Sequence, residues 1–261
     1  LLLFVPPDRA DPLVDDWREK TFIQDVTITD ATDDFAVFGV HGPKSTEKVA
    51  SVLNGAGSPD EHLSFVRGSM VDAGVTVIRG DGLAGEEGYE VVCSADVADD
   101  VFDTLENRGL NAAPFGYDTW EALTLEAGTP LFDTEIEGRI PNVVGLDNGV
   151  DFEKGCFVGQ EVVSRVHNRG RPSQRLVGLT CESVPENGAA VFVGDSAVGE
   201  ITRAVESPTC EEPIAFAAVD YDLPETALTV RVDGAEVGAT VTDLPFVEGS
   251  DESARVPRYD D

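Results

Sequence analysis

The chain has 261 residues and a mass of 27.8 kDa, with 50 Asp and Glu against 18 Lys and Arg, a net charge of −32 and a pI of about 4.1. Nonspecific binding of duplex DNA or of an anionic membrane is excluded as a leading function, because those surfaces are held by clustered cations. With 41% apolar and only 26% charged residues, the chain can offset the entropy of ordering, which excludes a disordered acidic tail.

At roughly 150 residues per domain, the length corresponds to about two domains. The acids are dispersed, and Lys20, Lys44, Lys48 and Lys154 are the only lysines. Scattered carboxylates with scarce Lys point to a halophilic source, where molar salt shortens the Debye length to about 3 Å and screens self-repulsion. The four cysteines (Cys93, Cys156, Cys181, Cys210) form no CxxC pair. No disulfide scaffold or zinc knuckle is expected, and the chain is expected to be cytoplasmic. No apolar run approaches the ~20 residues that span a bilayer.

In chain order, Leu1 to Val5 has strand character and is no signal peptide, since Pro6, Pro7 and Asp8 cut it short. It starts on Leu rather than Met, and upstream sequence is expected to be missing. A polar helix is predicted from Arg9 to Lys20, then strands at Asp25 to Thr29 and Asp34 to Val40, with Pro43 opening a helix to Leu53. Val75 to Arg79 and Tyr89 to Cys93 form a hairpin across a Gly-rich loop. Helices follow at Asp96 to Asn107, ended by Gly109, and at Asp118 to Ala127, ended by Gly128. This is an α+β pattern. After Arg175 come six short β runs: 176–181, 190–193, 198–205, 214–220, 227–232 and 237–242. They argue a small barrel or sandwich. The boundary falls at Arg171-Pro172-Ser173, giving units 1–172 and 173–261.

Gly80, Gly82 and Gly85 spell GxGxxG after a strand, but Glu86, Glu87 and Gly88 lead into another strand, not a helix whose N-terminus would meet a pyrophosphate. In the strand that follows, Tyr89 and Val91 share one face while Glu90 and Val92 share the other. Glu90 is either a solvated edge residue or a pocket carboxylate that accepts paired N–H donors. Cys156, between Gly155 and Gly159 and beside Lys154, is either a buried structural thiol or an activated one ahead of a short helix starting near Gly159. The acid-free stretch from Arg165 to Arg175 carries Arg165, Arg169, Arg171 and Arg175. These arginines either pair with carboxylates at a domain interface or receive a polyanion. His41, His62 and His167 are too dispersed for a metal site or a triad, and a Cys156/His167 hydrolase lacks an oxyanion partner.

The run from Lys154 to Arg165, KGCFVGQEVVSR, closely resembles the KGCYxGQE signature of YgfZ-type folate-binding proteins, relatives of the glycine-cleavage T-protein (aminomethyltransferase). Leu125 to Gly128 resembles that family's RLEAG helix end, Gly88-Tyr89-Glu90 its GYE strand, Gly42-Pro43-Lys44 the GP opening its early helix, and Ala204 to Ser207 with Ile214 to Val219 its barrel. The resemblance implies ferredoxin-like βαββ units followed by a C-terminal six-stranded β-barrel, with tetrahydrofolate as the cofactor. Glu90 inherits the pterin-binding role. Tyr89, Trp120, Gln160, Glu161 and Arg165 are the accompanying binding candidates, and Cys156 with Lys154 the catalytic ones. It further implies support of iron–sulfur proteins and of tRNA modification. Trp120 stands where T-proteins carry a folate-binding Arg, which favours the YgfZ-type role over the alternative, a true aminomethyltransferase. A third alternative is a non-catalytic binding module. The T-protein's catalytic aspartate belongs to a segment upstream of this chain.

Overall fold

The computed structural model describes residues 1–261 except 24, 147, 148, 157, 224–226, 233, 260 and 261; the side chains of Pro7 and Arg169 also lie outside the described residues. The first helix, α1 (Ala10–Lys20), is polar and buries no residue. A four-stranded antiparallel sheet follows, built from β1 (Phe35–His41), β2 (Phe65–Met70), β3 (Ala73–Arg79) and β4 (Gly88–Ser94) in the order β1-β4-β3-β2. Helices α2 (Ser45–Val52) and α3 (Ala98–Asn107) supply Val49, Val52, Val101 and Leu105 to one face of it. That face contributes Val40, Val75, Val77, Tyr89, Val91 and Cys93, all buried. Each such aliphatic side chain stabilises the fold by about 1.5–3 kcal/mol.

Alternation sends the other residues of these strands to the opposite face. There Phe35, Val37 and Phe65 are exposed, and Glu90 is half-buried.

Helices α4 (Tyr117–Glu126), α5 (Pro141–Val144) and α6 (Gln160–Arg169) lead into six antiparallel strands, β5 (Gln174–Cys181), β6 (Ala190–Val193), β7 (Ser196–Ser207), β8 (Glu212–Asp220), β9 (Leu228–Val232) and β10 (Ala235–Thr242). They close into a barrel in the order β10-β5-β8-β7-β6-β9. All six predicted runs are strands of this barrel.

Two predicted strands do not form. Leu1 to Val5 and Asp25 to Thr29 have no strand structure, because a strand needs a neighbour for its backbone groups and neither finds one. Conversely β2 was not predicted. Its Gly68 weakens the local pattern, yet the fold requires it, since a Cβ there would lie 2.5 Å from the Asn54 carbonyl oxygen.

A polar seam joins α4 to the barrel. Arg203 (3% exposed) donates to Thr124 Oγ1 and to the Thr129 carbonyl, both at 2.7 Å, and its Nε lies 3.5 Å from Glu135. Glu126, also buried, accepts from Ser207 Oγ at 2.6 Å and from Thr209 N and Oγ1. Beyond the barrel the chain doubles back as a strap. Val247 N donates to Glu126 O, Asp251 N to Gly85 O, Ala254 N to Asp81 O and Arg258 N to Gly145 O. Among the described residues no helix is long and apolar enough to cross a membrane.

Candidate functional site

Glu90 sits in mid-sheet, paired in register with Ile78 on β3 and Gly39 on β1. Its face is opened by glycines. A Cβ at Gly39 would stand 2.6 Å from His41 Nε2, and one at Gly88 would stand 2.7 Å from His41 Nδ1. The His41 imidazole therefore lies across the two glycines that neighbour Glu90, an approach no larger residue permits. The same ring meets Trp120 at 4.9 Å between centroids and Phe115 at 6.4 Å. Burial lowers the pKa of His41, which keeps it neutral near pH 7, and its Nδ1 is buried with no hydrogen-bond partner among the described residues.

Around the open edge of β1 runs a cleft of about 770 Å³, walled by Val37, His41, Lys44, Phe102, Phe115, Tyr117 and Trp120. Lys48 braces one wall by donating to the carbonyls of Arg108 and Leu110, each at 2.6 Å. Gly39 is on the cleft lining and Glu90 stands one strand further in.

Burial raises the pKa of Glu90, and Asp81 raises it further, while Arg255 opposes them. Asp81 and Arg255 are themselves paired at 3.1 Å. No described residue donates a hydrogen bond to the Glu90 carboxylate. A carboxylate removed from water without compensating donors is costly, and such groups cluster where a ligand supplies the missing partner.

The structure sorts the other candidates differently from the sequence. Tyr89 is 1% exposed and packs into the core under α2 with its hydroxyl 2.8 Å from Thr46 Oγ1 and Arg79 over its ring. Strand alternation thus separates it from Glu90, and its position is that of a core residue. Trp120 is brought to the site through His41. Lys154, Cys156, Gln160, Glu161 and Arg165 lie outside the cleft lining. Cys156 is exposed, four residues ahead of α6, so it is not the buried thiol of the structural alternative. His167 stacks on Phe152 at 4.0 Å.

The arginine-rich stretch is engaged with its own chain. Arg165 pairs with Glu161 one helical turn away, Arg171 lies 3.5 Å from Asp222, and Arg171 and Arg175 both sit over the Tyr221 ring. Both carboxylate pairs are exposed, and the first lies within α6; the Arg169 side chain lies outside the described residues. Among the described residues no group of three or more His, Cys, Asp or Glu could hold a metal.

Sequence reasoning missed His41, Asp81 and Arg255. Arg255 reaches Asp81 across 174 residues of chain, and no local pattern announces such a contact.

The model of the GCVT N-terminal domain matches residues 9–154, and that of the glycine cleavage T-protein C-terminal barrel domain matches residues 174–248. An aminomethyltransferase from Cutibacterium acnes is 36% identical over 242 residues, covering 87% of this chain and 64% of that protein. One from Streptomyces coelicolor is 32% identical, covering 91% and 66%. The chain thus spans slightly under two thirds of these relatives. The crystal structure of glycine cleavage system aminomethyltransferase T from Bartonella henselae superposes with a TM-score of 0.77 at 21% identity, over 94% of this chain and 68% of that one, and so shares its fold. The matched models together cover most of the chain, and it belongs to the glycine cleavage T-protein family.

Proposed function

We propose that the protein binds tetrahydrofolate and serves one-carbon transfer of the aminomethyltransferase type, with Glu90 as the residue that holds the pterin. The observation that carries this reading is the Glu90 carboxylate, half-buried and without a protein donor. A pterin presents neighbouring ring and amino N–H groups, and a carboxylate accepts two such donors side by side. Beside it, the His41–Trp120–Phe115 wall offers aromatic faces of the kind that pack a planar heterocycle. The residues present therefore fit the group. Tetrahydrofolate, when bound, supplies the amines that accept a one-carbon unit. Glu90 would fix the plane of the ring, neutral His41 would hold the Trp120 ring against it, and the apolar cleft edge would exclude water. The names of the relatives favour this transferase reading over the YgfZ-type role.

Two observations support a second reading, support of iron–sulfur proteins and tRNA modification. Cys156 is exposed within KGCFVGQE, where its thiol is open to a partner, and Trp120 replaces the Arg expected of a T-protein.

Calorimetric titration of the full-length protein with tetrahydrofolate tests the first reading; saturable binding is expected, and no heat at millimolar ligand overturns it. Cys156→Ser separates the two. It leaves folate binding and one-carbon transfer intact under the first reading, and abolishes rescue of iron–sulfur enzyme activity in a deletion strain under the second.

A further inference from the structure

Among the described residues, His41 is the polar side chain that both lines the cleft and borders Glu90 on the sheet face. Gly39 is the cross-strand partner of Glu90 and His41 that of Gly88. Period-two alternation therefore puts His41 on the Glu90 face, one diagonal away. Its ring covers the bare backbone there. A Cβ on Gly39, directly opposite Glu90, would stand 2.6 Å from Nε2, and one on Gly88 would stand 2.7 Å from Nδ1. Neither nitrogen has a hydrogen-bond partner among the described residues, and of the two only Nδ1 is fully buried.

The neighbours leave a donor at this point to His41. Lys48 and Ser45, also on the cleft lining, are committed to the carbonyls of Arg108, Leu110 and Glu87. On the sheet face Val37 and Ile78 flank Glu90 with apolar side chains, and Thr76, paired with Val92, lies off the cleft lining.

We propose that His41 is a specificity-determining residue of this site: its Nε2 carries the ring proton and donates it, across Gly39 from Glu90, to a carbonyl oxygen of the bound heterocycle. The inference rests on the folate reading of Glu90. An imidazole kept neutral by burial holds one N–H. A buried N–H without an acceptor is rarer than a buried acceptor without a donor, so buried Nδ1 keeps the lone pair and the open Nε2 the proton. Glu90 and His41 then present an acceptor and a donor side by side. Their complement is a lactam edge, an N–H next to a C=O. The pterin ring carries one: its N3–H and 2-amino group meet the carboxylate, and its 4-oxo group meets Nε2. A ring with an amino group at position 4 would turn N–H against N–H and leave Nε2 without an acceptor, the mismatch by which a polar site rejects an analogue.

The test titrates the full-length protein calorimetrically with tetrahydrofolate and with tetrahydroaminopterin, which carries an amino group in place of the 4-oxo group, under the same anaerobic conditions. The readout is the ratio of the two dissociation constants. His41→Leu keeps bulk against Trp120 and removes the donor; the preference for the oxo ligand should fall by about three- to tenfold, the span of one neutral hydrogen bond. His41→Gln returns an amide N–H at similar side-chain volume and should restore most of that preference. A His41 that merely walls the cleft would weaken both ligands alike. A wild-type ratio in His41→Leu, or His41→Gln no better than His41→Leu, overturns the inference. Glu90→Gln separates the two levels. If it weakens tetrahydrofolate binding while His41→Leu keeps the wild-type ratio, the role of His41 alone fails; if it binds both ligands as tightly as wild type does, the folate reading fails, and the inference with it.

Discussion

Arg203→Met is the substitution whose cost follows most directly from the structure. The guanidinium is buried between α4 and the barrel, bonded to Thr124 Oγ1 and the Thr129 carbonyl, and lies 3.5 Å from the fully buried Glu135. Methionine fills much of the stem's volume but removes the charge. Glu135 then keeps the donors Leu131 N, Thr134 Oγ1 and Thr202 Oγ1, at 2.8, 2.7 and 3.1 Å, without a counter-ion. Breaking one side of a buried pair costs about 3–5 kcal/mol, a large share of a net stability of about 5–15 kcal/mol. At about 2–4 °C per kcal/mol for a chain of this size, the melting temperature should fall by about 6–20 °C. Adding Glu135→Gln removes the stranded charge and should recover most of the loss, because neutral donors satisfy an amide oxygen. Urea unfolding at fixed salt measures both. A single-mutant loss below about 1 kcal/mol, within the range of an ordinary surface substitution, would refute the reasoning, as would a double mutant no more stable than the single one.

Glu90 makes a prediction about stability as well as binding. Because burial and Asp81 raise its pKa in the folded chain, the folded state holds this proton more tightly than the unfolded state does. Its contribution is complete below about pH 4.3, the unfolded value, and is lost as pH rises through the folded value. Glu90→Gln should therefore be more stable than wild type at pH 7 and gain nothing near pH 4; a gain of equal size at both would contradict this. Alkylation of the folded protein should modify exposed Cys156 first. Cys181, pushed up to about 11 by burial, and Cys93, raised by burial and then by Asp96, should react only on unfolding; mass spectrometry of partly labelled protein reads the order. With a net charge of −32, the melting temperature should climb as the Debye length falls from about 10 Å to about 3 Å with rising salt. A flat curve would count against a surface adapted to salt.

Much of the barrel was legible because its evidence is local. Runs such as Ile214 to Asp220 are apolar up to their last residue and bounded by turn residues, and each became a strand. The end of α4 was legible for the same reason, with Gly128 at φ +66° just past it. Strand pairing is not local. Leu1 to Val5 has strand composition but no neighbour, while β2 is poor in composition and gains one in β3. At the site, strand parity already placed Tyr89 and Glu90 on opposite faces, and the burial of Tyr89 follows from it. His41 and Arg255 make contacts across the fold: Gly39 and Gly88 beneath an imidazole, and a strap returning to Asp81. No periodicity encodes them.

The central claim is that the Glu90 carboxylate holds the pterin, and the ratio of tetrahydrofolate dissociation constants for Glu90→Gln and wild type tests it most directly. Hydrogen bonds to a charged acceptor contribute about 1.5–3 kcal/mol, so the folded variant should bind at least about tenfold more weakly. A Glu90→Gln protein that binds within about twofold of wild type, a difference of about 0.4 kcal/mol, would contradict the account.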